Sequence, residues 1–549
     1  MKSTNKVIVL IIGMLMFSIT SCNLDINVDP NSPAAVPSGQ LLSSAEIAIF
    51  TSFGHNGSGL GSVASIWVHQ VMQRSNADGY ASTGQDGNIS APWSNLYSGA
   101  LQDIETIITQ GTVSEEFRYV GIAKLLKAYS YNMMVDVWGD IPFTEATKGA
   151  ANPFPKFDED ASIYAALFLL IDDALADLAK TQGATTVSPT IDDLIYGGSV
   201  TSWRRFGKAL KLKMYNTIKS VQNVTSEMAA LAADADVSGP NFPDFALRYG
   251  TVIAPENRNP TWISVSGATT YFSRYFFEIL NNTSTLNPIL SGIVDPRLPY
   301  YLYNSLGTSN LIAQNPTEYL RVPYPLAPAP QNGNFFVGIN FSSQSPNQGF
   351  DQSRSLSMPG VYFGGGRLDL ANVGGGVLIS SAPGNAPTRL MDQFMVTYVL
   401  AEVALLTSVP NARALLSTAI DQSFAEVNST VATVYPTAAT ISPASRDAYR
   451  TAVLVLFDAA TPAVQLELII TEKWIANFGN PLESYTDYRR TGYPIMIDAT
   501  TDGDPNTNIG RVYPFSFPYR QLDTNQQNPN APLQKLIGDA SARVFWDNN

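Results

Sequence analysis

The 549-residue chain has a single cysteine, Cys22, and only two histidines, His55 and His69. It therefore cannot close a disulfide on itself, and it lacks the parts for a His/Cys zinc site or for the usual Ser-His-Asp and Cys-His triads. HExxH, CxxC and GxSxG are absent as well. Beyond Ile19 no apolar run approaches the roughly 20 residues that a membrane-spanning helix needs. Basic residues are short too: 33 Lys and Arg stand against 46 Asp and Glu, a formal charge of −13. Such a surface repels nucleic acid and anionic headgroups, which argues against DNA, RNA and peripheral membrane binding.

The start of the chain has an export pattern. Lys2 and Lys6 form a basic opening, Val7 to Ile19 an apolar core of thirteen residues, and small residues precede Cys22. That core is too short to span roughly 30 Å of hydrocarbon comfortably, and polar Asn23-Leu24-Asp25 follows it in place of a positive stop-transfer flank. Ile19-Thr20-Ser21-Cys22 resembles a bacterial lipobox, in which the thiol is diacylglycerylated, the preceding peptide removed and the new amino terminus acylated. The alternative is an ordinary signal peptide that leaves a free thiol, but there is no second cysteine for it to pair with. Acyl chains contribute about 0.8 kcal/mol per buried CH₂, so several on one residue anchor durably. The expected division is a signal peptide over 1–21, a lipidated tether over 22–37 and one domain over 38–549. Without Lys2 and Lys6, 31 basic residues face 46 acidic ones, so the mature chain is near −15. Asp25, Asn27 and Asp29 have the opening spacing of a calcium loop, but Pro30 stands where its glycine belongs and Val36 where its closing Glu belongs. No metal and no cofactor is expected.

Helical periodicity dominates the domain. Residues 96–110 and 114–136 form a pair, with Thr112 and Glu115 as a capping box and Val120, Ala123, Leu126, Tyr129, Met133 and Val137 as the apolar stripe. Helices are also predicted over 62–72, 162–180, 202–220, 390–407, 411–427, 444–458 and 462–478. Thr461 caps the last, Pro462 opens it, and it stops before Gly479. Arg204, Lys208 and Lys211 share one helix face, read as a solvated face in preference to an anion site. Between about 238 and 388 the chain turns to Gly, Pro, Asn and aromatics without a helical period. Helical blocks over about 38–237 and 389–549 thus flank an irregular insert. No polar linker separates them, so both blocks are expected to share a core.

Chemistry-bearing constellations are weak. Gly57-Ser58-Gly59-Leu60-Gly61 has neither the preceding strand nor the lysine of a phosphate loop. His69 reads as a packed or surface histidine. Asp136 with Asp140, and Glu483 with Asp487, are four residues apart and could form the two-carboxylate arrangement of a glycosidase, though acidic proteins commonly offer such pairs.

Two passages carry a family resemblance. Tyr131-Asn132-Met133-Met134-Val135-Asp136-Val137-Trp138-Gly139-Asp140-Ile141-Pro142-Phe143-Thr144-Glu145-Ala146 is the first; Thr471-Glu472-Lys473-Trp474 with Tyr485-Thr486-Asp487-Tyr488-Arg489-Arg490-Thr491-Gly492-Tyr493-Pro494 is the second. Together with the lipobox, the Asp29-Pro30-Asn31 tether and the closing Pro518-Tyr519-Arg520-Gln521, they resemble SusD/RagB-like outer-membrane lipoproteins of Bacteroidetes. The resemblance implies a mainly α fold of tetratricopeptide-like helix pairs with a loop-rich middle insert. It also implies a lid on a SusC-like TonB-dependent transporter that captures an oligosaccharide or, in some members, an oligopeptide. No tetratricopeptide consensus or period of about 34 residues is visible in the chain itself. Gly139 and Pro142 end a helix, and Asp136, Asp140, Arg489 and Arg490 are expected to form pairs that fix turns.

Saccharide capture calls for exposed aromatic faces beside groups that hydrogen-bond hydroxyls. Arg74, Asn76, Asp78 and Tyr80 follow the helix predicted over 62–72, in roughly the region where sugar-binding relatives place contacts. The insert offers Trp262, Phe335, Phe336 and Tyr362 on predicted loops, with core packing the competing role for each ring. Trp67 and Trp93 are assigned to the core. The sequence reading is thus a lipid-anchored, non-catalytic binder of an oligomeric nutrient at the outer membrane. A surface glycosidase and a structural or adhesive lipoprotein are its rivals.

Overall fold

The computed structural model describes residues 36–73, 87–183, 188–266, 270–304, 320–323, 335–338, 357–368, 382–407, 411–497, 513–521, 523, 528–535 and 538–548. Cys22 and most of the expected tether fall outside the described residues.

The N-terminal block runs α1 (Ser38–Phe53), α2 (Leu60–Trp67), strand β1 (Val71–Gln73), then α3 (Gly87–Asn95), which passes through a wide π turn at Leu96–Ala100 into α4 (Leu101–Val113). Next come α5 (Phe117–Trp138), α6 (Asp160–Ala179), α7 (Val200–Ile218), α8 (Thr225–Ala233) and α9 (Ala235–Ser238). In the middle are β2 (Phe245–Leu247), α10 (Pro260–Ser266), β3 (Thr270–Phe272), α11 (Arg274–Leu280), α12 (Leu298–Tyr301), β4 (Leu302–Asn304), β5 (Leu320–Pro323), β6 (Phe335–Gly338), β7 (Ser357–Pro359) and β8 (Thr388–Met391). The last block is α13 (Gln393–Thr407), α14 (Ala412–Val434), α15 (Pro443–Ala459), α16 (Pro462–Ala476) and α17 (Pro481–Thr491). The fold is mainly helical, and among the described residues no helix is long and apolar enough to cross a membrane.

Local chemistry accounts for most element ends. Thr461 Oγ1 accepts from the Val464 amide and Pro462 fills the first turn, as predicted for α16. The capping box at Thr112 and Glu115 does not form. Thr112 is still inside α4, its hydroxyl donating to the Ile108 carbonyl, while Glu115 has φ +60° in the turn and Glu116 precedes α5. The helix predicted over 62–72 stops at Trp67, because His69 takes φ +54° and the chain then extends into β1. The middle segment does hold helices. α11, Arg-Tyr-Phe-Phe-Glu-Ile-Leu, is apolar nearly all round and only seven residues long, so it shows no period.

The strands form four antiparallel pairs, β1 with β3, β2 with β8, β4 with β7 and β5 with β6. β3 also lies beside β7, and β6 approaches β4 and β7, so most of the short strands gather in one cluster. Residues from both helical blocks enter one hydrophobic cluster. Trp67 packs on Tyr485 and Phe517, Trp474 Nε1 donates to the Val68 carbonyl at 2.9 Å, and Trp138 Nε1 donates to that of Pro518 at 3.1 Å. Burying large side chains such as these contributes roughly 2–3 kcal/mol each. These contacts between residues hundreds of positions apart hold the two blocks against each other.

Candidate functional site

The first question is whether the acidic pairs can act. Asp136, Asp487 and Glu483 lie in a buried network with Lys213, Lys473, Arg490, Glu402 and Lys219. Lys213 Nζ is 3.5 Å from Asp136 Oδ2 and 3.2 Å from Glu483 Oε2; Lys473 Nζ is 2.9 Å from Asp487 Oδ2. Arg490 lies 2.6 Å from Asp487 and also pairs with Glu402, which Lys219 meets from the other side. Burial works to raise the carboxyls, yet Arg490 and Lys219 hold Glu402 well below its usual range, and Lys213 and Lys473 hold Glu483 down. At Asp136 burial prevails over Lys213 and the carboxyl is raised. Apart from Lys219, these side chains are at most a few per cent exposed, so Glu483 and Asp487 are closed off from a substrate, and Asp136 is buried while Asp140 is half-buried.

The second motif therefore serves as a joint. Arg489 donates to the carbonyls of Asp136 and Phe515 and lies over the Tyr485 ring at 3.9 Å, while Trp546 Nε1 donates to Asp136. Of the four motif residues expected to pair, Arg489 bonds the Asp136 backbone, Arg490 pairs with Asp487 and Glu402, and Asp140 accepts from the Asp160 amide. Gly139 ends α5 at φ +75° and ψ −123°, a glycine conformation other than the expected left-handed cap. The partners Lys213, Glu402 and Lys219 escaped the sequence reading. Lys213 comes from α7, Lys219 from the position just after it and Glu402 from α13, and they carry no local signal.

Other motif readings resolve in the same way. His55 Nδ1 contacts Ser65 Oγ at 2.9 Å, and burial pushes the ring down to about 4. His69 packs edge-on to Tyr275 and is pushed down to about 3, also by burial. In the glycine-rich loop, a Cβ at Gly59 would lie 2.1 Å from the Gly54 carbonyl oxygen, so close packing against the end of α1 explains its glycine. Arg204 and Lys208 pair with Asp236, and Lys211 with Asp172. That face is laced with ion pairs. Among the described residues no cluster of three His, Cys, Asp or Glu is arranged to hold a metal ion.

The predicted ligand residues fall into three groups. Arg74, Asn76, Asp78 and Tyr80 lie outside the described residues; the chain enters them from β1, where Gln73 pairs with Thr270. Phe335 and Phe336 are in β6, opposite Pro323 and Val322 of β5, and their side chains also lie outside the described set. Their strand approaches β7, which lies beside β3, so the topology brings the entry to 74–80 and the Phe335-Phe336 strand to one cluster. Trp262 and Tyr362 differ from expectation, for they are on α10 and a short 3₁₀ turn and are 2% and 1% exposed. Trp262 sits in a glycine cradle: a Cβ at Gly384 would lie 2.3 Å from its Cδ1 and one at Gly366 3.0 Å from its ring edge. Tyr362 packs against Tyr301 at 4.9 Å beneath the Arg389 guanidinium at 4.3 Å. Phe363, Phe478 and Phe276 continue this aromatic slab behind the strand cluster. Trp67 and Trp93 are buried as expected.

A family model described as "Starch-binding associating with outer membrane", of the SusD-like type, matches residues 30–519. The chain belongs to the SusD-like family. Membership makes it a binding protein and not an enzyme, in keeping with the closed carboxylate network, and the family's description points to association with an outer membrane. Solved SusD-like structures have the same fold. A SusD/RagB family protein from Bacteroides thetaiotaomicron superposes with a TM-score of 0.67 at 19% identity, over 94% of this chain and 99% of that one. A chitin-binding SusD homolog from Flavobacterium johnsoniae gives 0.61 at 19% identity, over 92% and 99%. A Bacteroidetes SusD-like protein gives 0.65 at 20%, over 94% and 100%. No curated protein matches the chain.

Proposed function

We propose that this SusD-like protein is a lipoprotein anchored through Cys22 on the outer face of an outer membrane. There it captures an oligosaccharide non-covalently and passes it to a SusC-like TonB-dependent transporter. The observation that carries this reading is the family match over 30–519, with its starch-binding description; the chitin-binding relative with the same fold supports it. The ligand surface is proposed on the strand cluster. Arg74, Asn76 and Asp78 supply groups for sugar hydroxyls, Tyr80, Phe335 and Phe336 supply rings, and Trp262 and Tyr362 back them from the aromatic slab. Sugar rings offer an apolar C–H side and a rim of hydroxyls, which rings beside amide, carboxylate and guanidinium groups match. The charge of −13 adds nothing that would attract an anionic ligand, which favours neutral glycans.

An affinity survey of the purified protein with starch-derived and chitin-derived oligosaccharides and with oligopeptides tests this. Saccharide binding is expected, weakened at least tenfold by Tyr80→Ala or Phe336→Ala. Preference for peptides would put the chain among peptide binders, and unchanged affinity in both variants would refute the proposed surface.

A further inference from the structure

A second surface feature lies on the helical scaffold, away from the strand cluster. A cleft of about 530 Å³ opens between α4 and the turn that follows α5, within the roughly 300–1,000 Å³ range of small-molecule sites. One wall is a single face of α4, where Gln102, Glu105, Thr106, Thr109 and Gln110 recur at helical spacing. Lys127 of α5 and the ring of Phe143 border the cleft, with the ammonium 5.8 Å from the ring centroid and ion-paired to Glu105. The opposite wall is Thr144, Ala146, Thr147 and Lys148.

That second wall is held rigidly. Asp158 accepts from the amides of Phe143 and Thr144, at 3.1 and 2.8 Å, and from the Thr144 hydroxyl. Glu145 accepts from Asn152 and from the Lys156 amide, and Tyr97 ties the Pro142 carbonyl at 2.8 Å. Thr147 has φ +60°, a left-handed conformation rarely adopted by a β-branched residue, with its hydroxyl donating to the Ala146 carbonyl. The cost of ordering the wall has thus been met before a ligand arrives. Facing it, Gln102 and the partly buried Lys127–Glu105 pair border the cleft with donors and acceptors.

We infer that this cleft is a second saccharide site, taking a short neutral sugar chain whose C–H side lies on Phe143 and whose hydroxyls meet Gln102, Thr109 and the Glu105–Lys127 pair. Hydroxyls both donate and accept, which suits a lining of amides, hydroxyls and the Glu105–Lys127 ion pair, with exposed Lys148 the one further charge at its edge. A peptide would seek a free strand edge or apolar side-chain pockets. This wall is a helix whose backbone groups bond internally, and its side chains are polar. The inference rests on the reading that the protein captures saccharides, and it adds a docking point that could hold a long chain at two places.

Titration calorimetry of the full-length protein in detergent, using maltotriose, chitotriose and trialanine, tests it. Thr109→Trp fills the cleft from an exposed position, and Gln102→Ala removes one amide without touching the core. Two saccharide sites per chain are expected in the unmodified protein, one abolished by Thr109→Trp and weakened at least tenfold by Gln102→Ala, with the other unchanged. Saccharide binding unaltered in both variants overturns the cleft site alone, as does trialanine binding that Thr109→Trp abolishes. Failure of the unmodified protein to bind either trisaccharide or any longer saccharide overturns the capture reading and the cleft with it.

Discussion

Trp262 is enclosed by glycines on α10, and its indole N–H finds no acceptor among the described residues. An unsatisfied buried donor costs about 1–3 kcal/mol, so Trp262→Phe trades that penalty against a smaller ring and should change stability by no more than about 1 kcal/mol. Trp262→Ala should cost about 3–5 kcal/mol, because the glycine cradle has no side chains to collapse into the void. Urea unfolding of both variants measures the contrast, and equal losses would refute it. His55 gives a pH signature. Folding keeps it neutral down to about 4, whereas the unfolded chain takes up a proton below about 6.5. Its contribution is therefore complete above pH 6.5 and lost as the pH falls through that value towards 4. The stability gap between the unmodified protein and His55→Gln should narrow by about 1.4 kcal/mol per pH unit across that window. A constant gap would show that His55 is not held neutral. At this scale the sequence was partly legible. The burial of Trp67 and Trp93 could be read from helical context, but nothing near Trp262 shows that Gly366 and Gly384, over a hundred residues later, would wrap it.

Helices were legible wherever caps and period agreed. α16 follows from Thr461, Pro462 and its apolar spacing, and Thr461→Ala should cost about 1 kcal/mol by urea unfolding, with no measurable loss counting against the cap. α11 and the short strands were not legible, because elements of three to seven residues are too short to show a period. The network joining α5, α7, α13, α16 and α17 was half legible. Asp136, Asp487 and Arg490 stand out in the two motifs, but Lys213 and Glu402 become their partners only through folding. Removing one member of a buried network leaves uncompensated charge, so Lys213→Met should destabilise by about 3–5 kcal/mol through Asp136 and Glu483. Adding Glu483→Gln should recover part of that loss. A double variant less stable than the sum of the single changes would contradict the coupling.

For the molecule as a whole, the two motifs hold the fold together. They lock the two helical blocks together through charges that no solute reaches, which explains how a strong family signature can coexist with a catalytically empty centre. We propose that recognition falls to the periphery, where the strand cluster gathers the entry to 74–80 and the Phe335-Phe336 strand. The fold was legible because it follows from helical period and the motif residues. The proposed ligand site was not, because it depends on which loops meet, and pairings such as Gln73 with Thr270 cannot be read from local sequence. The most direct test of the central claim is equilibrium titration of the purified full-length protein with starch-derived and chitin-derived oligosaccharides, followed by mass analysis of the saccharide recovered. Saturable binding of an oligosaccharide that is returned with its length unchanged is the predicted result. Shortened products, or no saccharide bound at any length, would contradict the account.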